Sequence, residues 1–388
     1  MVIPKLTLKT LEMSTLGFKR SIKTIYDYAA FPYMIRELQN GSFSNGRISV
    51  GCKMCATGAK MVLFVSGICD KNCFYCPLSE NKKDKDVIYA DEMLVENDDD
   101  IIKEAESISS RGASITGGEP LLFVERSIKY INLLKDHFGE NYHIHLYTAS
   151  TDIEAIKKIL SSRLDEIRFH VLPEYWNKFE GSGYHKAIIT AKEFGKPVGV
   201  EIPGIPGMYE DLKKLITSLE KGGVDFVNIN EFEYMDRTWP YLLKMGFEML
   251  DGMSSAIKGS SEMVMSLLKE NNFRIPIHFC SSGYKDGVQL RNRLLRRAKN
   301  VAMPWEEITE DGTIIKGIIE GVDASYISFL HSKFRISKKK CRYNEVKKRL
   351  ELSSEDVERI GGKIDKKCFI IEEYPTADGL EVERIPIE

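Results

Sequence analysis

No run of about 18 apolar residues occurs in this chain, so no transmembrane helix is expected. The N-terminal stretch MVIPKLTLKTLEMSTLGFKRSIKTIYDY has no unbroken apolar segment followed by a small-residue cleavage site. No signal peptide is read there, and a cytoplasmic setting is expected. A large net charge is missing as well. Lys+Arg number 55 against 57 Asp+Glu, a net of −2, which excludes a whole-molecule polyanion binder and an acidic solvating chain. Low-complexity tracts and internal repeats are absent, as is the D-x-H-x-x-G signature of cobalamin binding. A disulfide framework is also excluded, because eight cysteines in 388 residues do not resemble the dense cysteine pattern of short secreted chains.

What is present is a full hydrophobic core, with 43% hydrophobic and 29% charged residues. Residues 1–50 read as a helical N-terminal extension, where SIKTIYDYAAFPYMIRELQNG has near-helical apolar spacing and stops at Gly41. From residue 51 short β-branched runs alternate with helical segments. The runs are MVLFVSG (61–67), ASITGGEP (113–120), HIHLYTAS (143–150), LDEIRFHVLP (164–173), KPVGVEIPG (196–204) and VDFVNINEFE (224–233). Such alternation predicts βαβ units on a parallel sheet, and right-handed crossovers curl six units into a partial barrel. Functional groups then collect at the C-terminal ends of the strands. Residues 51–300 form this core with an extension from 235. Residues 301–388 read as a small C-terminal β-containing domain.

Five of the eight cysteines fall between residues 52 and 76. Cys69, Cys73 and Cys76 are spaced C-x3-C-x2-C after a predicted strand, and three thiolates on one tight loop suit an iron–sulfur cluster with one open iron. Zinc knuckles pair two C-x2-C units, so this spacing suits zinc poorly. The third cysteine is preceded by an aromatic residue, Tyr75, and the next strand ends in Gly117-Gly118-Glu119-Pro120. Glycines there allow close backbone approach, and the carboxylate could take a ligand ammonium.

C-x3-C-x-aromatic-C followed one βα unit later by GGEP resembles the radical S-adenosylmethionine (radical SAM) superfamily. Within it, the chain looks similar to an archaeal group related to pyruvate formate-lyase activating enzymes. The similarity covers roughly residues 50–280. The resemblance implies a partial (βα)6 barrel of the TIM-like type, a [4Fe–4S] cluster and S-adenosylmethionine. It also implies reductive cleavage to methionine and a 5′-deoxyadenosyl radical that abstracts a substrate hydrogen. Carried over, Cys69, Cys73 and Cys76 would ligate the cluster, and Tyr75 would lie against the adenine. Gly117, Gly118 and Glu119 would receive the methionine amino group. Thr148 and Ser150 of YTAS, with Glu201 and Gly204 of VEIPG, would supply further cofactor contacts. A one-electron donor, a ferredoxin or flavodoxin, is implied as a partner.

Cys52 and Cys55 form a separate C-x2-C pair. With Cys280 they could supply an auxiliary metal site, a second iron–sulfur cluster. The strand at 61–67 spans roughly 20 Å at about 3.3 Å per residue, which would start Cys55 near the opposite mouth of the barrel from Cys69. Otherwise Cys52, Cys55 and Cys280 are ordinary thiols, and Cys341 and Cys368 read as structural. His170 and His278 lie near strand ends and could face the substrate, although a satisfied half-buried histidine is the expected role; His143 and His145 alternate on one strand as packing or rim residues.

Residues 285–349 carry 16 Lys+Arg against 8 Asp+Glu, and residues 350–388 carry 5 against 11. LRNRLLRRAK and ISKKKCRYNEVKKRL could track phosphates, or pair with the acidic tail. Three substrate classes remain open. The first is a macromolecule, protein or RNA, docked by the C-terminal part. The second is a glycyl-radical enzyme awaiting activation. The third is a small molecule or lipid precursor, radical methylation included. An iron–sulfur electron carrier is the non-enzymatic alternative, and it leaves GGEP without a task.

Overall fold

The computed structural model describes residues 34–250 and 254–388. An eleven-stranded sheet holds the first part of the chain in the order β1-β2-β11-β10-β9-β8-β7-β6-β3-β4-β5. Seven of these strands are parallel neighbours: β3 (Lys60–Phe64), β6 (Gly112–Thr116), β7 (His143–Thr148), β8 (Glu166–Phe169), β9 (Val198–Gly204), β10 (Phe226–Glu231) and β11 (Ile277–Cys280). The path does not close, so the sheet is a partial barrel. Short antiparallel strands cover its edges: β1 (Arg36–Glu37) and β2 (Phe43–Ser44) beside β11, β4 (Tyr89–Ala90) and β5 (Met93–Leu94) beside β3. The six expected strands are present. β11 is a seventh, folded in from what the sequence presented as an extension.

The part of the expected helical extension within the described residues is a correction. Residues 1–33 lie outside the described set. Residues 34–44 are not helical: β1 and β2 flank a single 3-10 turn, Gln39–Gly41, where Asn40 and Gly41 take positive φ of 49° and 79°. The cause is tertiary. β2 satisfies the open edge of β11, and Phe43 stacks on Phe279 at 4.6 Å.

Helices lie between and after these strands: α1 (Val50–Ala56), α2 (Asp98–Ser107), α3 (Val124–Phe138), α4 (Ile153–Leu160), α5 (Gly183–Glu193), α6 (Tyr209–Lys221), α7 (Trp239–Lys244), α8 (Ser260–Glu270) and α9 (Arg291–Val301). Local signals set their ends. Asp152 caps α4 by accepting from the N–H groups of Glu154 and Ala155, and Asp100 accepts from the Asn97 N–H at the start of α2. Leu212, Leu215, Ile216 and Leu219 form the buried stripe of α6 at helical spacing.

Beyond Val301 the chain builds a second, antiparallel sheet from β12 (Glu307–Ile308), β13 (Ile314–Glu320), β14 (Cys341–Asn344), β15 (Arg349–Leu352), β16 (Cys368–Glu373) and β17 (Glu381–Ile387). One face packs Ile319, Leu350, Leu352 and Cys368 against α10 (Tyr326–Phe334) and α11 (Ser354–Ile360). The other buries an ion network in which Lys316 meets Glu306 and Glu373, each at 2.7 Å, and Arg349 meets Glu373 at 2.7 Å.

The basic segment 287–300 is not a free phosphate track. In α9, Arg293 pairs with Asp91 and Glu92, Arg296 donates to the carbonyls of Ile108 and Ser109, and Arg297 pairs with Glu104 and donates to the Pro375 carbonyl. Its guanidinium groups hold the barrel to the second sheet.

Candidate active site

The cysteine loop leaves β3 and stays tied to the next parallel strand. Val65 donates to the Thr116 carbonyl, Gly118 to that of Ser66, and Glu119 to that of Ile68 at 3.0 Å. The two glycines of GGEP serve this contact. A Cβ on Gly117 would lie 2.5 Å from the Ser66 carbonyl oxygen, and one on Gly118 would lie 2.3 Å from that of Ile68. The close approach is therefore to the backbone of the cysteine loop. Cys69, Cys73 and Cys76 are free and partly exposed. Burial pushes the Cys69 thiol up and the Cys73 thiol up to about 11.

Glu119 is 1% exposed. Its carboxylate accepts from Leu121 N–H at 2.9 Å, the Thr148 hydroxyl at 2.7 Å and Ala149 N–H at 2.7 Å. Burial raises its pKa, opposed by these three donors. The Thr148 oxygen in turn accepts from Ser150 N–H at 2.9 Å, and the Ser150 hydroxyl oxygen accepts from Asp152 N–H. Gly117, Gly118, Glu119, Thr148 and Ser150 thus gather at the adjoining C-terminal ends of β6 and β7.

Tyr75 reaches across the mouth to His170, the residue after β8, with 2.8 Å between its hydroxyl and Nε2. The Tyr75 ring packs edge-on to Phe74 and Phe232. His170 Nδ1 lies 2.9 Å from the Glu201 carbonyl oxygen. A carbonyl only accepts, so Nδ1 carries the hydrogen. Burial holds the His170 pKa down, and in the neutral ring Nε2 accepts from Tyr75.

Two matches stand beside this geometry. The radical SAM superfamily model covers residues 63–219, and a domain of unknown function, DUF8061, covers 312–387. A curated relative from Methanocaldococcus jannaschii, named "Putative glycyl-radical enzyme activating enzyme MJ0021", is 41% identical over 358 residues, 88% of this chain and 93% of its own. The chain belongs to the radical SAM superfamily. Among solved structures, SuiB of Streptococcus suis bound to S-adenosylmethionine matches at 14% identity and a TM-score of 0.40, over 66% of this chain and 59% of that one. SuiB bound to the precursor peptide SuiA matches at 14% identity and 0.40, over 76% and 71%.

As a radical SAM enzyme, the protein is implied to use a [4Fe–4S] cluster and S-adenosylmethionine. Its donor set fits that cluster. Three unpaired, partly accessible thiols sit on one loop, on a shelf made by Gly117 and Gly118. Among the described residues, no three Cys, His, Asp or Glu side chains already converge as a metal-ligand group.

The radical SAM barrel has a polar lumen that sequence reasoning missed. Its centre is Arg168, 1% exposed, on β8. The guanidinium meets Glu166 at 2.6 Å, Glu201 at 2.8 Å, the Tyr147 hydroxyl at 3.2 Å and the Ser49 hydroxyl at 2.9 Å. Glu201 also accepts from the amides of Asn228 and Asn230. Burial pushes its carboxyl up, but Arg168 and these amides outweigh that and hold it below the usual range. Glu201 is therefore committed to an interior ion pair. Gly204, three residues on, faces the opposite side of β9. A Cβ there would lie 2.9 Å from Val264, and the Gly204 carbonyl accepts from Ser260 of α8. These two positions lie on opposite faces of β9, because strand residues at odd separation point to opposite faces.

Helix α1 changes the reading of the second cysteine pair. It tucks against the lumen rather than stopping below it: a Cβ on Gly51 would be 2.5 Å from both Arg168 Nη2 and His145 Nδ1. Cys52 Sγ accepts from Asn228 Nδ2 at 3.1 Å, with Arg168 Nη1 at 3.6 Å. Burial raises its pKa, yet Arg168 and His278 bring the thiol down to about 7. Burial and Cys52 push Cys55 up to about 11, and burial pushes Cys280 up to about 12. Cys280 Sγ accepts from Gln289 at 3.3 Å. Cys52 and Cys280 are buried and Cys55 is half-buried. The expected second metal centre has no converged ligand set among the described residues. Cys341 and Cys368 pack in the core of the second sheet.

Proposed function

We propose that this radical SAM enzyme abstracts hydrogen from a polypeptide substrate, with glycyl-radical enzyme activation as its narrower form. When bound, the cluster and S-adenosylmethionine supply one-electron cleavage of a sulfonium and a 5′-deoxyadenosyl radical. The chain's own residues position that chemistry. Cys69, Cys73 and Cys76 would hold the cluster, and Gly117, Gly118 and Glu119, braced by Thr148 and Ser150, would form the shelf for the methionine end of the cofactor. Tyr75 would flank the adenine. Glu201 and Arg168 give the lumen beneath a rigid, charged floor. The reading takes one cluster per chain, since Cys52 and Cys280 are each served by side-chain N–H donors. A low-potential one-electron donor of the ferredoxin or flavodoxin class and a cytoplasmic setting belong to the same proposal. No helix among the described residues is long and apolar enough to cross a membrane.

The observation that favours a polypeptide is an apolar surface on the segment after β10. Met235, Tyr241, Leu243, Met245, Met249 and Leu250 are exposed there, Tyr241 by 63%. Adaptable methionine-rich surfaces of this kind suit peptide contact. The segment is anchored to the site, because Arg237 donates to the carbonyls of Cys76 and Leu78. The relative's name points to the same substrate class. RNA is less favoured, since the arginines of α9 are engaged within the fold.

The test uses Leu243→Glu with Met245→Glu in anaerobically reconstituted enzyme. Slow 5′-deoxyadenosine formation without substrate should persist, while stimulation by the polypeptide substrate is lost. Unchanged stimulation would count against this surface.

A further inference from the structure

We propose that His170 is a positioning residue for the cysteine loop: it locks the Tyr75 hydroxyl and so fixes the segment between Cys73 and Cys76. The inference rests on the radical SAM reading and adds a residue to it.

Three independent contacts hold His170. Its backbone N–H donates to the Thr148 carbonyl at 2.7 Å, at the end of β7. Its Nδ1–H donates to the Glu201 carbonyl at 2.9 Å, on β9. Its Nε2 accepts from Tyr75 at 2.8 Å. The first two contacts fix ring position and tautomer, which leaves one acceptor aimed at the cysteine loop. Ordinary core packing would satisfy the imidazole on any neighbour. Here the partner lies inside the C-x3-C-x2-C motif, 95 residues away in sequence.

The rest of that loop has few comparable anchors. Its interior bonds are local: Lys71 N–H to Cys69 Sγ, Cys76 N–H to the Cys73 carbonyl, and the Tyr75 hydroxyl against the Cys73 thiol. Arg237 holds the carbonyls of Cys76 and Leu78 from one side. Tyr75–His170 grips the loop from the other side, and Phe232 closes against the Tyr75 ring at 6.2 Å. The same Thr148 that receives the His170 N–H also donates to Glu119. One histidine therefore sets the cysteine loop relative to the shelf that faces it.

A double-mutant cycle tests this, using Tyr75→Phe, His170→Ala and the double variant in reconstituted holoenzyme. One lost hydrogen bond of about 1–1.5 kcal/mol corresponds to about tenfold. Each single variant should raise KM for S-adenosylmethionine by about that factor, and His170→Ala should keep kcat and iron content near wild type. The double variant should be no worse than the poorer single one, and His170→Gln, which carries both a donor and an acceptor, should recover part of the loss. Hydrogen exchange over residues 69–78, followed in both the reconstituted protein and the iron-free chain, should quicken in both single variants. Additive effects, or unchanged exchange in that segment, would overturn the proposal. Failure of the wild-type enzyme to form 5′-deoxyadenosine would overturn the radical SAM reading instead, and the exchange measurement would still decide the role of His170.

Discussion

Thr148 donates its hydroxyl hydrogen to the buried carboxylate of Glu119 at 2.7 Å, joining the end of β7 to the end of β6. The carboxylate is held by three donors, and a hydrogen bond to a charged group contributes about 1.5–3 kcal/mol. Glu119→Gln places an N–H₂ against at least one of those donors. We predict a rise of about tenfold or more in KM for S-adenosylmethionine, with a smaller rise for Thr148→Val, measured by steady-state 5′-deoxyadenosine formation.

Gly118→Ala should damage the cysteine loop directly. The new Cβ would meet the Ile68 carbonyl at 2.3 Å, and backbone cannot yield cheaply. Iron bound after anaerobic reconstitution should fall well below that of wild type, and the thermal midpoint should drop. Full iron content in this variant would contradict the packing account of GGEP.

Cys69→Ala, Cys73→Ala and Cys76→Ala should each abolish stable cluster binding. Cys52→Ala and Cys280→Ala should leave about four irons per chain, the content of a single [4Fe–4S] cluster. Iron counting alongside electron paramagnetic resonance of the reduced protein checks both. About eight irons in wild type, halved by Cys52→Ala, would restore an auxiliary cluster.

Arg168→Leu leaves Glu166 and Glu201 buried without their cation. Breaking a buried pair in this way costs about 3–5 kcal/mol, so the variant should unfold at markedly lower denaturant concentration. Replacing both Arg168 and Glu201 with apolar residues should cost less than the sum of the single changes.

The second sheet should be acid-labile. Burial raises the Glu351 carboxyl, but Lys316, Arg342, Asn344 and Arg349 outweigh it and hold its pKa at about 2, below an ordinary 4.5. The folded form is thus favoured when Glu351 is ionised. Its contribution is complete above about pH 4.5 and disappears as pH falls toward 2. Thermal midpoints followed by circular dichroism from pH 2 to 6 should show this limb, and Glu351→Gln should flatten it.

The legible parts of the site were the local ones. C-x3-C-x2-C, Tyr75 and GGEP lie within single βα units, so their spacing carries the chemistry. The fold's six strands were readable from β-branched runs between helices. Other features depend on pairings far apart in sequence. β11 joined the sheet through β10 and β2; its short IHFC run read as a strand end at His278, but not which strands it would pair with. Arg168 looked like a polar residue on a strand until Glu166, Glu201 and Ser49 closed around it. Basic residues of α9 suggested phosphate because their acidic partners lie about 200 residues earlier. Glu201 and Gly204 are the instructive pair, since the alternation of a strand already placed their side-chain positions on opposite faces.

The most direct test of the central claim is deuterium transfer into 5′-deoxyadenosine. Extract from cells grown in deuterated medium is separated into protein, nucleic-acid and small-molecule fractions, and each is given to reconstituted enzyme with S-adenosylmethionine and dithionite. The account predicts deuterium-labelled 5′-deoxyadenosine from the protein fraction, lost when that fraction is digested with protease. Label arising only from the nucleic-acid or small-molecule fraction, or no 5′-deoxyadenosine at all, would contradict it.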